Sequence, residues 1–295
     1  MFGIINCNKP IGITSRVVVN AANRRVRPAK VGHAGTLDPL ASGVLLLPVG
    51  PAVRLTSYLQ ELPKQYRATF QLGVETSSGD LEETPIPLAN APVPTAEQIA
   101  DAAQALTGRI QQVPPAHSAI KVDGKRAYRL ARAGKAVEMK PRTVDIYALE
   151  IIKYDYPNLQ VHIHCGSGTY VRSIGVDLAR ACGTVAVMTS LERTAIGDFT
   201  VEDAHSIEQL REQDIEPMLQ SPLRGLPEMP QVELDEATLK RIEQGQIVDL
   251  HDESLQTPQA AETELAAIDA EQNLRALLIA RGGGWRAHRS FHTAS

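Results

Sequence analysis

Between Gly32 and Leu45 the chain reads Gly-His-Ala-Gly-Thr-Leu-Asp-Pro-Leu-Ala-Ser-Gly-Val-Leu, with a single carboxylate, Asp38, seated directly before Pro39. A proline fixes its own φ and restricts the residue ahead of it, so the Asp38 backbone is restrained and its side chain aimed, as a reacting carboxylate must be. Such a group can attack or electrostatically stabilise an electron-poor carbon, as one of the paired carboxylates does in glycoside hydrolysis. Burial disfavours the anion, so a cation is needed nearby. Asp-Pro is also a common turn, and the segment alone leaves both accounts open. His33, five residues earlier, could pair with Asp38 as acid and base in a hydrolase, or be a structural histidine.

Rigid elements must hold this segment. Gly3–Asn6 reads as a short strand, Thr14 or Ser15 as an N-cap, and Val17–Arg25 as a helix. Gly32–Gly43 is then a loop running into a buried strand, Val44–Val49. Tyr66–Leu72 alternates as a half-buried strand does, Thr76–Val93 is a polar, proline-rich loop or linker, and Thr95 caps a helix over Ala96–Leu106. A strand over Tyr154–Cys165, a turn at Gly166-Ser167-Gly168 and a helix over Ile174–Ala181 follow. The pattern is that of a mixed α/β or α+β domain. Pro222, Pro227 and Pro230 mark a linker into a small β-rich module, so the chain divides into residues 1–225 and 226–295.

Composition narrows the classes. Of 295 residues 43% are hydrophobic, enough for one large core and a small satellite. No apolar run is long enough to span a bilayer and the start lacks a secretory leader, which predicts a cytoplasmic protein. Cys7, Cys165 and Cys182 form no Cys-x-x-Cys pair, so neither a disulfide framework nor a metal site is expected. In His162-x-His164-Cys165 strand alternation sets the thiol opposite the imidazoles. Gly32-His33-Ala34-Gly35 lacks the helix pair of a KH clamp, and Gly166-Ser167-Gly168-Thr169 the lysine of a phosphate loop. The net charge of −4 hides segregation: residues 1–67 carry nine Lys/Arg against two carboxylates and residues 106–142 nine against two, whereas residues 201–272 carry four against eighteen. Two basic blocks beside an acidic one suit a polyanion-binding protein.

Six segments in order carry a family resemblance across roughly residues 3–200: Asn8-Lys9-Pro10-Ile11-Gly12-Ile13-Thr14-Ser15, the Asp38 loop, Lys64-Gln65-Tyr66-Arg67-Ala68, Gln112–Tyr128, Cys165–Ser173 and Leu191–Gly197. Together they resemble the TruB-type tRNA pseudouridine synthases, which convert the T-loop uridine at tRNA position 55. The resemblance implies the pseudouridine synthase fold, a mixed and largely antiparallel central sheet flanked by helices, with an RNA-gripping insertion at about 110–140. It implies a cofactor-free isomerase acting on the T-arm stem-loop of tRNA; a monomer is the default expectation. More weakly, residues 226–295 resemble a PUA domain, although their acidic stretch 245–272 argues against a strong grip on RNA.

Residue by residue, the resemblance implies Asp38 as the catalytic carboxylate and Arg172 as the cation that holds it. Tyr66 becomes the stacking platform for an everted uridine and a participant in proton transfer. His33 supports the everted nucleotide, Tyr170 hydrogen-bonds near Asp38, and Leu191 packs on the base. Lys9, Lys64, Lys121, Lys125, Arg126, Arg129 and Arg132 are expected as phosphate contacts that position without specifying. The rival from another class is a non-catalytic tRNA-binding or folding factor, which would not need Asp38.

Overall fold

The computed structural model describes residues 1–81, 84–115, 139–250 and 263–291, and the backbone of 121–122 and 125–126. Its centre is a nine-stranded sheet built from β1 (Gly3–Lys9), β2 (Ala41–Val49), β3 (Lys64–Leu72), β4 (Gly108–Gln112), β5 (Arg142–Asp155), β6 (Asn158–Cys165), β7 (Ala186–Ile196), β8 (Phe199–Thr200) and β9 (His205–Ser206). The order is β9-β1-β2-β7-β3-β6-β5-β4, with β8 on β7. Only β1 with β9 and β2 with β7 run parallel, so the sheet is mixed and largely antiparallel, as expected.

Two helical layers seal it. Helix α1 (Ser15–Arg25) buries Val18, Val19 and Ala22 on Leu45 and Leu47 of β2, joined by Ile207 and Leu210 from a later short helix, Ile207–Glu212. Helices α2 (Ala96–Ala105) and α3 (Val171–Ala181) cover β3, β5 and β6 through Ile99, Ile174 and Leu178 packed with Phe70, Val161 and Ile163. Each such side chain removed from water contributes about 1.5–3 kcal/mol. Thr95 caps α2 with a full capping box to Gln98. Gly175 sets the approach of α3, since a Cβ there would sit 2.0 Å from the Phe70 ring. This contact brings the first turn of α3, with Arg172, down onto the sheet.

A second, four-stranded sheet comprises β10 (Gln231–Glu233), β11 (Glu264–Ile268), β12 (Leu274–Arg281) and β13 (Gly284–Ser290), covered by α4 (Glu236–Glu243) through Leu239 and Ile242. It is fastened to the first by Phe2 stacked on Phe291 at 5.3 Å, by the Tyr58 hydroxyl donating to Glu264 at 2.8 Å, and by Arg54 donating to the Ser290 carbonyl at 2.6 Å.

Two expectations need correction. Tyr154–Cys165 is a hairpin turning at Tyr156-Pro157 between β5 and β6: Tyr154 pairs with Leu159 on the core face, so the alternation changes phase at the turn instead of running through it. Thr76–Val93 is not a free linker: Ser78 and Asp80 are buried at 2% and 0% exposure, and Asp80 bridges to Met188 of β7.

Candidate active site

The Asp38 loop is fastened along its length. Gly32 and Ala34 donate to the Pro48 and Leu46 carbonyls, the Leu37 amide donates to Ser15 Oγ at 2.9 Å, and Ser15 Oγ donates back to the Leu37 carbonyl at 3.1 Å. Gly12 donates to Pro39 O at 2.7 Å, and Ala41 to Asp38 O at 3.0 Å. Thr14 is the N-cap of α1 but makes no side-chain cap bond; the neighbouring Ser15 hydroxyl is spent on the loop instead. Buried Arg193 of β7 completes the scaffold, donating from Nε to Val44 O at 2.7 Å and from Nη2 to Gly35 O at 3.2 Å. Gly43 has φ +103°, and a Cβ there would lie 2.2 Å from the Arg193 carbonyl, so only glycine fits between β2 and β7.

Asp38 projects from this loop into a cavity of about 340 Å³ lined by Thr36, Leu37, Tyr66, Arg142, Tyr170, Arg172 and Leu191, among others. Its side chain is 41% exposed, and its Oδ2 lies 3.3 Å from Arg172 Nη2. Arg172 is itself buried and reaches in the other direction to Asp80, 2.7 Å from Nη1 to Oδ2. A guanidinium held by two carboxylates is fixed in orientation, so the reacting carboxylate faces a cation that cannot swing away. Asp80 is held in turn by the Ser78 hydroxyl at 2.8 Å.

Tyr66 and Leu191 reach the cavity from neighbouring strands, β3 and β7, where Tyr66 pairs with Arg193 and Ala68 with Leu191. Burial pushes the Tyr66 phenol above its ordinary value, with Arg193 opposing, so it is protonated at neutral pH. That makes it a stacking face and a hydrogen-bond donor rather than a base. Tyr170, the N-cap of α3, is gripped by buried Gln112: its amide donates to Oε1 at 2.8 Å and its carbonyl accepts from Nε2 at 3.0 Å. The Arg142 guanidinium lies over its ring at 4.6 Å, and the buried Arg142 Nε is left without a partner among the described residues.

His33 does not line this cavity. It is half-buried, its pKa lowered chiefly by burial and further by the positive charges of Arg193 and Arg16. Lys9 and Lys64 also differ from expectation. Lys9 is wholly buried, its ammonium donating to the Pro10 and Ile13 carbonyls at 2.9 Å, and burial pushes its pKa down to about 8, with Asp38 opposing. Lys64, 7% exposed, donates to the Gln60 and Leu62 carbonyls and is likewise pushed down to about 8 by burial and by Arg193. Neither can reach a phosphate in solvent, so both are backbone clamps that also supply positive potential beneath the loop. Lys121, Lys125, Arg126, Arg129 and Arg132 fall where side chains lie outside the described residues.

Residues 23–171 match the model of the TruB family pseudouridylate synthase N-terminal domain. The chain is 42% identical over 258 residues to tRNA pseudouridine synthase B of Rhodopirellula baltica, covering 82% of this chain and 74% of that one.

The chain belongs to the TruB family.

A second TruB relative, tRNA pseudouridine synthase B of Aromatoleum aromaticum, is 40% identical over 250 residues, 83% of this chain and 80% of that one. Among solved structures, the chain resembles one in the crystal structure of a Cbf5-Nop10-Gar1 complex, with a TM-score of 0.72 at 23% identity over 99% of this chain and 85% of that one. It also resembles a chain in the structure of an H/ACA RNP bound to a substrate RNA containing 2'-deoxyuridine, with a TM-score of 0.73 at 21% identity over 99% and 86% of the two chains. At these identities the structural likeness speaks for the pseudouridine synthase fold. Sequence reasoning alone assigned no role to Asp80, Arg193, Gln112 or Arg142 in this TruB site. For Arg193 a signal was present, since it lies two residues beyond Leu191 in a quoted motif.

Proposed function

We infer that this TruB-family enzyme isomerises a uridine of the tRNA T-loop, position 55, to pseudouridine, with Asp38 as the reacting carboxylate. The observation that carries the reading is the orientation of Asp38 by Arg172 at the mouth of a cavity walled by Tyr66, Tyr170 and Leu191. Extruding the uridine costs stacking energy of a few kcal/mol, which a tyrosine face and a leucine can return. Asp38 then meets the ribose as the bond from C1′ to the base nitrogen breaks, its charge opposing the positive charge that develops on the sugar. The freed base carries the bonding electrons, turns within the walled cavity, and rejoins C1′ through C5. The hydrogen on C5 leaves as a proton and the freed ring nitrogen, which kept the bonding electrons, takes up a proton, completing the isomerisation. No atom is gained or lost, so the reaction needs no cofactor.

The T-arm stem-loop is the proposed recognition element, residues 1–225 the catalytic domain, and 226–295 a PUA-like module. The basic insertion at about 110–140, including Lys121, Lys125, Arg126, Arg129 and Arg132, is the proposed phosphate grip. No helix among the described residues is long and apolar enough to cross a membrane, and we take the enzyme to act in the cytoplasm as a monomer. Carbodiimide adduct mapping by primer extension on an unmodified tRNA transcript tests the reading. A new stop at the T-loop uridine after treatment with enzyme is expected; a stop elsewhere, or none, contradicts it. Light scattering in the same buffer reads the oligomeric state.

A further inference from the structure

We propose that the solvent face of α1 is a track for the RNA backbone flanking the everted uridine, with Arg16, Asn20, Arg24 and Arg27 as its phosphate contacts. The inference rests on the reading of the substrate as RNA. Helix α1 begins at the catalytic loop, because Ser15 holds residue 37 by two hydrogen bonds. Any RNA that presents a base to Asp38 therefore passes the start of this helix. Ser15, Val18, Val19, Ala21 and Ala22 face the core, which turns Arg16, Asn20 and Arg24, spaced four apart, to solvent on one stripe about 12 Å long. Arg27 continues the stripe beyond the helix end, and with Asn20, Asn23 and Arg24 it lines an open concavity of about 750 Å³.

Charge placement separates this face from an ordinary solvated one. Arg16 stands in the first turn, where the helix dipole favours anions, and that turn holds no acidic residue. A cation there does nothing for the helix and waits on an external anion. Arg24 and Arg27 likewise form no ion pair among the described residues, whereas Arg25, off the stripe, is used by the fold and donates to the Gln213 carbonyl at 3.1 Å. Arg16 is close enough for its charge to weigh on His33, which ties the near end of the stripe to the loop that carries Asp38. Arginines and an asparagine in a shallow polar concavity match phosphate oxygens and not an apolar partner.

The test is the salt dependence of binding of a T-arm stem-loop RNA, followed by fluorescence anisotropy for the wild type, Arg24→Gln/Arg27→Gln, Arg24→Lys/Arg27→Lys and Arg16→Gln. Each phosphate contact contributes about 0.7–0.9 to the slope of log K against log salt. The double glutamine variant is expected to flatten the slope by about 1.5 and weaken Kd several-fold, the double lysine variant to keep the wild-type slope, and Arg16→Gln to flatten it by about 0.7–0.9. Wild-type slopes in both glutamine variants would overturn the proposal. Matching thermal midpoints establish that the variants fold. Tritium release by the wild type reports the enzymatic reading separately, so a flat result on the slopes is not confused with a failure of that reading.

Discussion

Arg172 and Asp80 are joined across 2.7 Å in a buried pair, and the same guanidinium turns its other nitrogen to Asp38 at 3.3 Å. Asp80 is fully buried, while Asp38 stays open to the cavity, so the first carboxylate anchors the arginine and the second is presented by it. Removing one partner of a buried pair costs about 3–5 kcal/mol, because the other charge is left unmatched. Asp80→Asn is therefore expected to lower thermal stability on that scale and to reduce single-turnover rate at least about ten-fold at saturating RNA. Unchanged stability and rate would remove Asp80 from the arrangement.

The buried lysines give a test that separates clamping from RNA contact. Lys9→Met and Lys64→Met each strip two carbonyls of a donor, and losing a charged hydrogen-bond donor costs about 1.5–3 kcal/mol. The expected result is a lower thermal midpoint with the salt slope of RNA binding kept. A flattened slope at unchanged stability would instead restore them as phosphate contacts.

His33 carries a pH signature. Its folded pKa lies below the ordinary 6.5, so as pH falls below 6.5 the unfolded chain takes up a proton before the folded one does. Stability is therefore lost from pH 6.5 downward until the folded group titrates. His33→Gln should shallow that part of the stability curve, measured by denaturant unfolding at a series of pH values. An identical curve for the variant would show that His33 titrates alike in both states.

Glycine at 43 is required by close approach. Gly43→Ala drives a methyl group against the Arg193 backbone at a positive φ, so β2 and β7 must part. A destabilisation of about 2 kcal/mol or more is expected by urea unfolding, with activity falling because Arg193 loses its register with the Asp38 loop. A variant as stable as the wild type would contradict the packing described.

The loop around Asp38 was legible because glycine and proline announce backbone geometry in their own types. The Thr95 cap of α2 followed from cap chemistry and the mixed α/β character from period, while the mixed, largely antiparallel sheet came with the family resemblance. Asp80 was not legible: Ser77-Ser78-Gly79-Asp80 has the composition of a surface loop, and only Arg172, 92 residues later, makes it a buried anchor. Lys9 and Lys64 read as surface cations because their type is most often exposed, while the carbonyls that satisfy them lie within four residues and leave no mark in the pattern. Strand β7 escaped notice because Leu191-Glu192-Arg193 is polar where it borders the site, which hides its central position between β2 and β3.

The account turns on Asp38 as the group that carries the chemistry. Tritium release from T-arm RNA labelled at uridine C5, under single turnover with wild type and Asp38→Asn and with binding measured on the same preparations, tests it most directly. The prediction is release by the wild type and none above background from the variant, while both bind the RNA. Release by Asp38→Asn at a rate near that of the wild type would contradict the account, and the cavity beside Arg172 would then have to work through another group.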